Sequence, residues 1–213
     1  MQLAKFSQAN LPAVTSLSAS LRSIQPAGGV GGGAAVIKMD KGGHWVFGAD
    51  QAEVESDSKW AINPFSFVHG FIAWGDGEVL GEKMTSVANP LPDLEEAPAA
   101  AKKGWESQVG VSLQSVSGDD KGTECRYTVT SVGGKRAVQT LAVALADQVD
   151  KDQTKPVAIV HLKKDHYVHK SYGRIYTPVF EIVEWASMDG AADAAPEAAT
   201  EEPAPAGRRR RAA

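Results

Sequence analysis

Cysteine is nearly absent from this sequence, and long apolar runs are absent altogether. The single thiol, Cys125, cannot form an internal disulfide, which favours a reducing compartment. No apolar run approaches the roughly 18 residues that a membrane-spanning helix needs. The first residues, MQLAKFSQANLPAVTSLSAS, also lack the unbroken apolar stretch of a signal peptide. We therefore expect a cytoplasmic protein with no membrane partner.

The charge balance excludes one class of nucleic-acid binder. Lys and Arg number 22, Asp and Glu number 26, and the net charge is −4. A histone-like polycation is excluded, whereas a local basic patch is not, because binding depends on how the charge is distributed. With 213 residues and 43% hydrophobic residues, the chain can bury a core without a disulfide or metal.

Both ends of the chain differ in composition from the middle. Residues 1–33 form an N-terminal arm, in which Leu11 to Ser23 predict a short helix and Ala27 to Gly33, AGGVGGG, a flexible hinge. Residues 188–213 contain no aromatic side chain and predict a disordered tail, acidic at first and ending in Arg208 to Arg211. Residues 34–187 remain as one β-rich domain.

Within that domain the pattern is mostly that of strands. Three hairpins are predicted, each around a Gly- or Asp-containing turn: 34–39 with 44–48, 65–74 with 78–84, and 105–116 with 124–131. The proline-rich segment 89–103 predicts an exposed loop. Apolar residues at helical spacing then predict one amphipathic helix over about 135–148, with Val138, Leu141, Leu145 and Val149 towards the core. Strands 157–162 and 175–185 follow, and Pro178 indicates an edge or a bulge.

This order of elements favours a mainly β fold with one helix. An OB-fold, a five-stranded Greek-key barrel, carries its helix between the third and fourth strands. About six strands precede the helix here, so an OB-like barrel would be elaborated by an extra hairpin within Trp60 to Met84. A β-sandwich covered by one helix is the alternative.

Signals for catalysis are weak, and we expect neither an enzyme nor a cofactor. Nucleophile elbows and dinucleotide fingerprints are missing. The pair His166-x-x-His169 supplies too few ligands for a metal site. Gly133-Gly134-Lys135-Arg136 resembles a phosphate-binding loop only in its position before a helix, so it is interpreted either as a plain turn or as a backbone-phosphate contact by Lys135 and Arg136. An enzyme whose site is assembled from scattered residues stays open as an alternative.

The stretch from His161 to Tyr176, HLKKDHYVHKSYGRIY, is the most informative. It combines cations, which contact phosphates, with flat aromatic rings, which stack on unpaired bases. The predicted nucleic-acid-binding residues are Lys163, Lys164, Tyr167, Lys170, Tyr172, Arg174 and Tyr176, together with Lys135 and Arg136. Trp45, Phe47, Trp60 and Trp74 are further candidates for stacking, with a core position as the alternative. We expect the stretch to form a protruding or groove-lining hairpin that binds single-stranded DNA, and a solvated hairpin with no ligand is the alternative.

Taken together, the chain resembles phage-type single-stranded-DNA-binding proteins, which pair an OB core with a disordered acidic tail. The resemblance covers residues 34 to 185 and the tail. It implies sequence-tolerant binding of single-stranded DNA in replication, recombination or repair, in the host cytoplasm for a phage protein, with the tail recruiting replication proteins. Arg208 to Arg211 depart from that pattern, because such tails end on acidic and aromatic residues. Homo-oligomers are compatible with it, and a phage virion component such as a decoration protein is the alternative.

Overall fold

The computed structural model describes residues 34–189. Its elements are β1 (Ala35–Met39), β2 (Trp45–Phe47), β3 (Ala52–Glu53), β4 (Lys59–Ile62), β5 (Val68–Trp74), β6 (Val79–Ser86), β7 (Trp105–Ser115), β8 (Glu124–Val129), α1 (Val132–Lys151), β9 (Val157–His169) and β10 (Gly173–Ala186). The predictions for the N-terminal arm and for residues 190–213 of the tail lie outside the described residues.

All ten strands belong to one curled sheet, which makes the fold mainly β with a single helix in the described part of the chain. The strand order is β10-β9-β4-β7-β8-β1-β2-β3, and the β5–β6 hairpin branches from β7. Neighbouring strands are antiparallel except β1 and β8, which run parallel. The long strand β7 pairs with β4 near its end, at Leu113 to Ser115, and with β5 over Trp105 to Gly110.

The three predicted hairpins are confirmed. They form as β1–β2, β5–β6 and β7–β8, each antiparallel. Glycines at positive φ lie in their connecting turns, where a side chain would strain the backbone, as at Gly43, Gly77 and Gly122. The segment between β6 and β7 contains no helix or strand, in agreement with the predicted loop over 89–103.

The strand count and the helix start were wrong. Eight strands precede the helix instead of about six, and α1 begins at Val132, before the predicted Lys135. Ser131 caps the helix, since its hydroxyl accepts a hydrogen bond from the Gly134 N–H at 3.2 Å. Gly133 and Gly134 therefore belong to the first helical turn and not to a loop. A Cβ on Gly134 would collide with Val129, so the glycine allows the helix to pack closely on β8.

The core lies between the curled sheet and α1. Buried side chains of the helix, Val138, Leu141 and Leu145, contact the sheet as predicted, while Val149 is only half-buried. Trp45 and Trp60 are core residues, and Trp60 is completely buried. Rings of Trp45, Tyr127 and Phe180 pack with centroids 5.4–5.6 Å apart, which joins β2, β8 and β10.

Candidate nucleic-acid interface

The segment from His161 to Tyr176 forms a hairpin of two long strands, which extend beyond the predicted bounds 157–162 and 175–185. Strands β9 and β10 pair from His169 and Gly173 towards their other ends, with one shift in register between Ile182 and Glu184, and only Lys170 to Tyr172 form the turn. Lys and His are unfavourable in strands, but the preference is weak and continuous cross-strand pairing overrides it. Pro178 lies in β10, which pairs only with β9 in the described chain, so the predicted edge position is confirmed.

The outer half of this hairpin extends beyond the sheet. Strand β4 pairs with β9 only at Ile159 to His161. From Leu162 to His169 the other edge of β9 has no strand partner among residues 34–189. Eight strand residues span roughly 26 Å at about 3.3 Å each. Leu162 is still buried in the core, and Asp165 to Tyr167 line a groove with α1, so the hairpin projects as a two-stranded arm beyond these residues.

The base of the projecting hairpin is held by the β1–β2 turn. The indole Nε1 of Trp45 donates a hydrogen bond of 2.9 Å to the carbonyl oxygen of Lys163. Next to it, Gly43 lies against Tyr176, and a Cβ on Gly43 would come within 2.6 Å of the ring. Gly43 has a φ of +80°, so the close approach and the backbone conformation both require glycine. This support was not predicted, because no local signal links residues so distant in sequence.

One face of the hairpin carries Lys164, His166, Arg174 and Tyr176. The register pairs His166 with Tyr176, which places their side chains on the same face. The Lys164 ammonium lies 5.2 Å from the centre of the Tyr176 ring, within the range of a cation–π contact. The His166 ring lies 6.0 Å from the same ring. Cations and half-exposed aromatic rings thus alternate along this face.

The opposite face carries Lys163 and Tyr167. The Lys163 ammonium is 3.5 Å from the Asp57 carboxylate and 3.4 Å from the Ser56 carbonyl oxygen, so part of its charge is already compensated. Tyr167 is 50% exposed. The predicted residues therefore do not share one surface, since adjacent residues of a strand point to opposite sides.

The turn of the hairpin presents the most exposed ring of the predicted set. Tyr172 is 78% exposed, and its ring lies 4.8 Å from that of His169 at an interplanar angle of 30°. Lys170 precedes it in the same turn and is exposed, and Gly173 closes the turn at a φ of +71°. The tip thus combines an accessible aromatic face with a cation.

The two predicted helix residues point in different directions. Lys135 donates to the Ser107 hydroxyl of β7 at 2.7 Å, away from the hairpin. Arg136 lines a groove of about 460 Å³ between α1 and the hairpin, together with Asp165, Tyr167 and Thr177. The structure therefore brings Arg136 beside the predicted stretch and separates Lys135 from it.

Three of the hairpin cations are uncompensated. Within residues 34–189, Lys164, Lys170 and Arg174 form no salt bridge. The outer face of β7 and β8 differs, because the Arg126 guanidinium there lies 4.0 Å from the Glu82 carboxylate. The three cations therefore give the hairpin a local positive charge.

Two histidines of the hairpin pack against tyrosines, and the single thiol is buried in the core. His166 and His169 lie three positions apart on one strand and therefore face opposite sides, where each contacts a tyrosine. In the described part of the chain, no three His, Cys, Asp or Glu side chains converge as metal ligands. Cys125 is completely buried, and burial, with a smaller effect of the Asp120 charge, raises the pKa of its thiol to about 11.

Comparison of the chain with protein-family models, with curated proteins and with solved structures found no significant match. Among residues 34–189, α1 is the one helix, and it lacks an apolar stretch long enough to cross a membrane.

Proposed function

We propose that this chain binds single-stranded DNA through the projecting β9–β10 hairpin. The observation that carries the proposal is the combination of three uncompensated cations, Lys164, Lys170 and Arg174, with the exposed rings of Tyr167 and Tyr172 on one projecting element. Cations attract phosphates, and an exposed ring offers a stacking surface to any base. Binding of this kind tolerates any sequence.

The arrangement of five strands supports an OB-like core under this hairpin. In an OB-fold the first strand lies between the second and the fourth, the third lies beside the second, and the fifth beside the fourth. Strands β4, β7, β8, β9 and β10 follow that order, and α1 connects the third of them to the fourth. The projecting hairpin then corresponds to the connection between the fourth and fifth strands, which is one of the two main binding loops of the fold.

Two additions distinguish this core from a plain OB barrel. The β1–β2 hairpin pairs in parallel with β8 and supports the β9–β10 hairpin through Trp45. The β5–β6 hairpin branches from β7 and overlaps the segment 60–84 that the sequence indicates as an elaboration, extending to Ser86. Both additions lengthen the sheet around the core without covering Tyr172 or Lys170, which are exposed.

Single strands are favoured over duplexes because the rings need bases that are not stacked in a helix. The test is fluorescence anisotropy with a labelled oligothymidine and with a duplex of the same length, at about 50 and 200 mM salt. We expect tighter binding of the oligothymidine at both concentrations. The matched control is the chain with Lys164, Lys170 and Arg174 replaced by Gln, which removes the positive charges and keeps polar side chains.

Three phosphate contacts predict a slope of log affinity against log salt of roughly −2, at about 0.7 for each contact with a single strand. Absence of single-strand binding at low salt would contradict the proposal and would favour the virion alternative. A role in replication, recombination or repair, with replication proteins bound by residues 188–213, follows as a second step only if the single strand binds.

A further inference from the structure

A second surface of the molecule is apolar and lies apart from the hairpin. A groove of about 550 Å³ runs between the second half of α1 and the connection from β4 to β5. It is lined mainly by apolar side chains, among them Phe65, Val87, Ala146, Val149, Pro156 and Met188. Phe65 is 77% exposed, and Val87 and Met188 are more than half exposed. Large apolar side chains clustered at the surface in this way indicate a binding site.

The start of the described chain lies next to this groove. Ala34 lines an adjoining depression together with Pro64 and Met188, and both of these residues also line the groove. Residues 1–33 therefore join the domain beside the groove. Nine residues lie between Ile24 and Ala34, and the ten Cα-to-Cα steps across them can span at most about 35 Å. The glycines of AGGVGGG allow the chain to turn back in this interval.

Residues 11–24, which precede the glycine-rich stretch, contain apolar side chains that can cover the groove. Apolar side chains recur every three or four positions, at Leu11, Val14, Leu17, Leu21 and Ile24. On a helix they form one apolar stripe, and Ala19 lies on the opposite side. Along α1, the groove is bordered by Ala142 and Ala146, one turn apart, whose small side chains permit a second helix to approach closely.

The other end of the chain does not fit. Residues 190–213 also follow directly on the groove, after Met188 and Asp189. Their apolar side chains are only those of Ala and Pro, with no branched aliphatic or aromatic residue. A segment of this composition cannot fill an apolar groove with comparable buried area. Of the two terminal segments, the N-terminal one is therefore the better occupant of the groove.

From these observations we propose that residues 11–24 dock in this groove as an amphipathic helix of the same chain. The apolar stripe contacts Phe65, Val87 and the face of α1 that contains Ala146. The short connection gives the segment a high effective concentration, so that docking within one chain is favoured over docking between chains. This inference is independent of the proposed DNA binding.

The test is hydrogen exchange on the full-length chain. We expect the amides of residues 15–24, which have intrahelical acceptors, to be protected, and Leu17→Asp to reduce the protection by on the order of tenfold or more, because a charge replaces an apolar contact. Ala19→Asp places the same charge on the opposite side and should leave protection unchanged. Unprotected amides in the unaltered chain, or equal effects of the two substitutions, would overturn the proposal.

A pair of substitutions on the helix tests the groove itself. Ala146→Glu fills the groove from an exposed position of α1 and should remove the protection of residues 15–24. Val143→Glu alters an exposed position of the same helix that does not line the groove and should have no effect. Unchanged exchange in the core strand β9 shows that both variants fold. Protection that persists in Ala146→Glu would contradict docking at this site.

A spin label distinguishes docking within one chain from docking between two copies. The label is attached to Gln153→Cys at the rim of the groove, since the native Cys125 is buried. Broadening of the amide signals of residues 11–24 within the labelled chain supports the proposal. Broadening that appears only when a labelled and an isotope-enriched chain are mixed would show a second copy as the occupant and would overturn it.

Discussion

The indole of Trp45 and the backbone of Lys163 are 118 residues apart in sequence and are joined by a hydrogen bond of 2.9 Å. The bond connects β2 to β9 just beyond His161, where the pairing of β9 with β4 ends. It holds the base of the projecting hairpin against the domain, and the buried Trp45 ring at the same time packs on Tyr127 and Phe180. One side chain thus links the core to the candidate interface.

Replacing Trp45 by Phe should therefore destabilise the protein. The substitution leaves the Lys163 carbonyl without this donor, and we expect the free energy of unfolding to fall by about 1–3 kcal/mol. Urea denaturation measures the change. Trp74→Phe is the control, because Trp74 is 40% exposed and forms no hydrogen bond through its indole in the described structure, so its effect should stay within about 0.5 kcal/mol. Similar losses in both variants would contradict the role of the bond.

The two adjacent lysines of the hairpin should differ in DNA binding. Lys164 has no carboxylate partner in the described chain, whereas Lys163 is 3.5 Å from Asp57. We expect Lys164→Gln to reduce the magnitude of the salt slope for oligothymidine by about 0.7. Lys163→Gln should change it less, because the ammonium already compensates Asp57. Anisotropy titrations over a range of salt concentrations test this, and identical slopes for the two variants would refute it.

The ring of Tyr172 should contribute to affinity in a way that salt does not affect. Tyr172→Ala removes the most exposed ring of the hairpin and should weaken single-strand binding by about 1–3 kcal/mol. Tyr172→Phe keeps the ring and should retain most of the affinity. The salt slope should be the same for both variants and the unaltered chain, since no phosphate contact is lost. A large loss in Tyr172→Phe would argue for a hydroxyl contact instead of stacking.

The buried face of α1 should govern stability. Leu141 is 2% exposed in the main core, and Leu141→Ala should lower the free energy of unfolding by about 2–5 kcal/mol through lost burial and the cavity that remains. Val143→Ala, two residues away on the exposed side, should change it by less than about 0.5 kcal/mol. Thermal and urea denaturation followed by circular dichroism compare the two.

Alkaline pH should destabilise the fold through Cys125. Burial raises the pKa of its thiol from 9.0 to about 11. The folded state therefore favours the neutral thiol. The contribution of this thiol to the free energy of unfolding is fully present below pH 9 and is lost as the pH rises to about 11. Urea midpoints measured between these values should fall for the native chain and fall less for Cys125→Ala. Some decline should persist in the variant, because burial also raises the pKa of Tyr127.

Local signals in the sequence determined the hairpins, the helix and the edge strand. Turn residues such as Gly77 and Gly122 act within a few positions, and the helical spacing of Val138, Leu141 and Leu145 is complete within two turns. Proline cannot donate a backbone hydrogen bond, so Pro178 limited its strand to an edge or a bulge, and the structure places the strand at an edge. These features depend on neighbouring residues, and the sequence contains that information directly.

The tertiary structure alone decided which of the predicted binding residues act together. The sequence predicted a strand only over 157–162, and the long-range pairing with β10 extends it to His169 and so places Lys163 and Lys164 on opposite faces. The same long-range pairing brought Asp57 to Lys163 and Trp45 beneath the hairpin. Contacts between residues more than a hundred positions apart result from the packing of the whole sheet, and no local pattern encodes them.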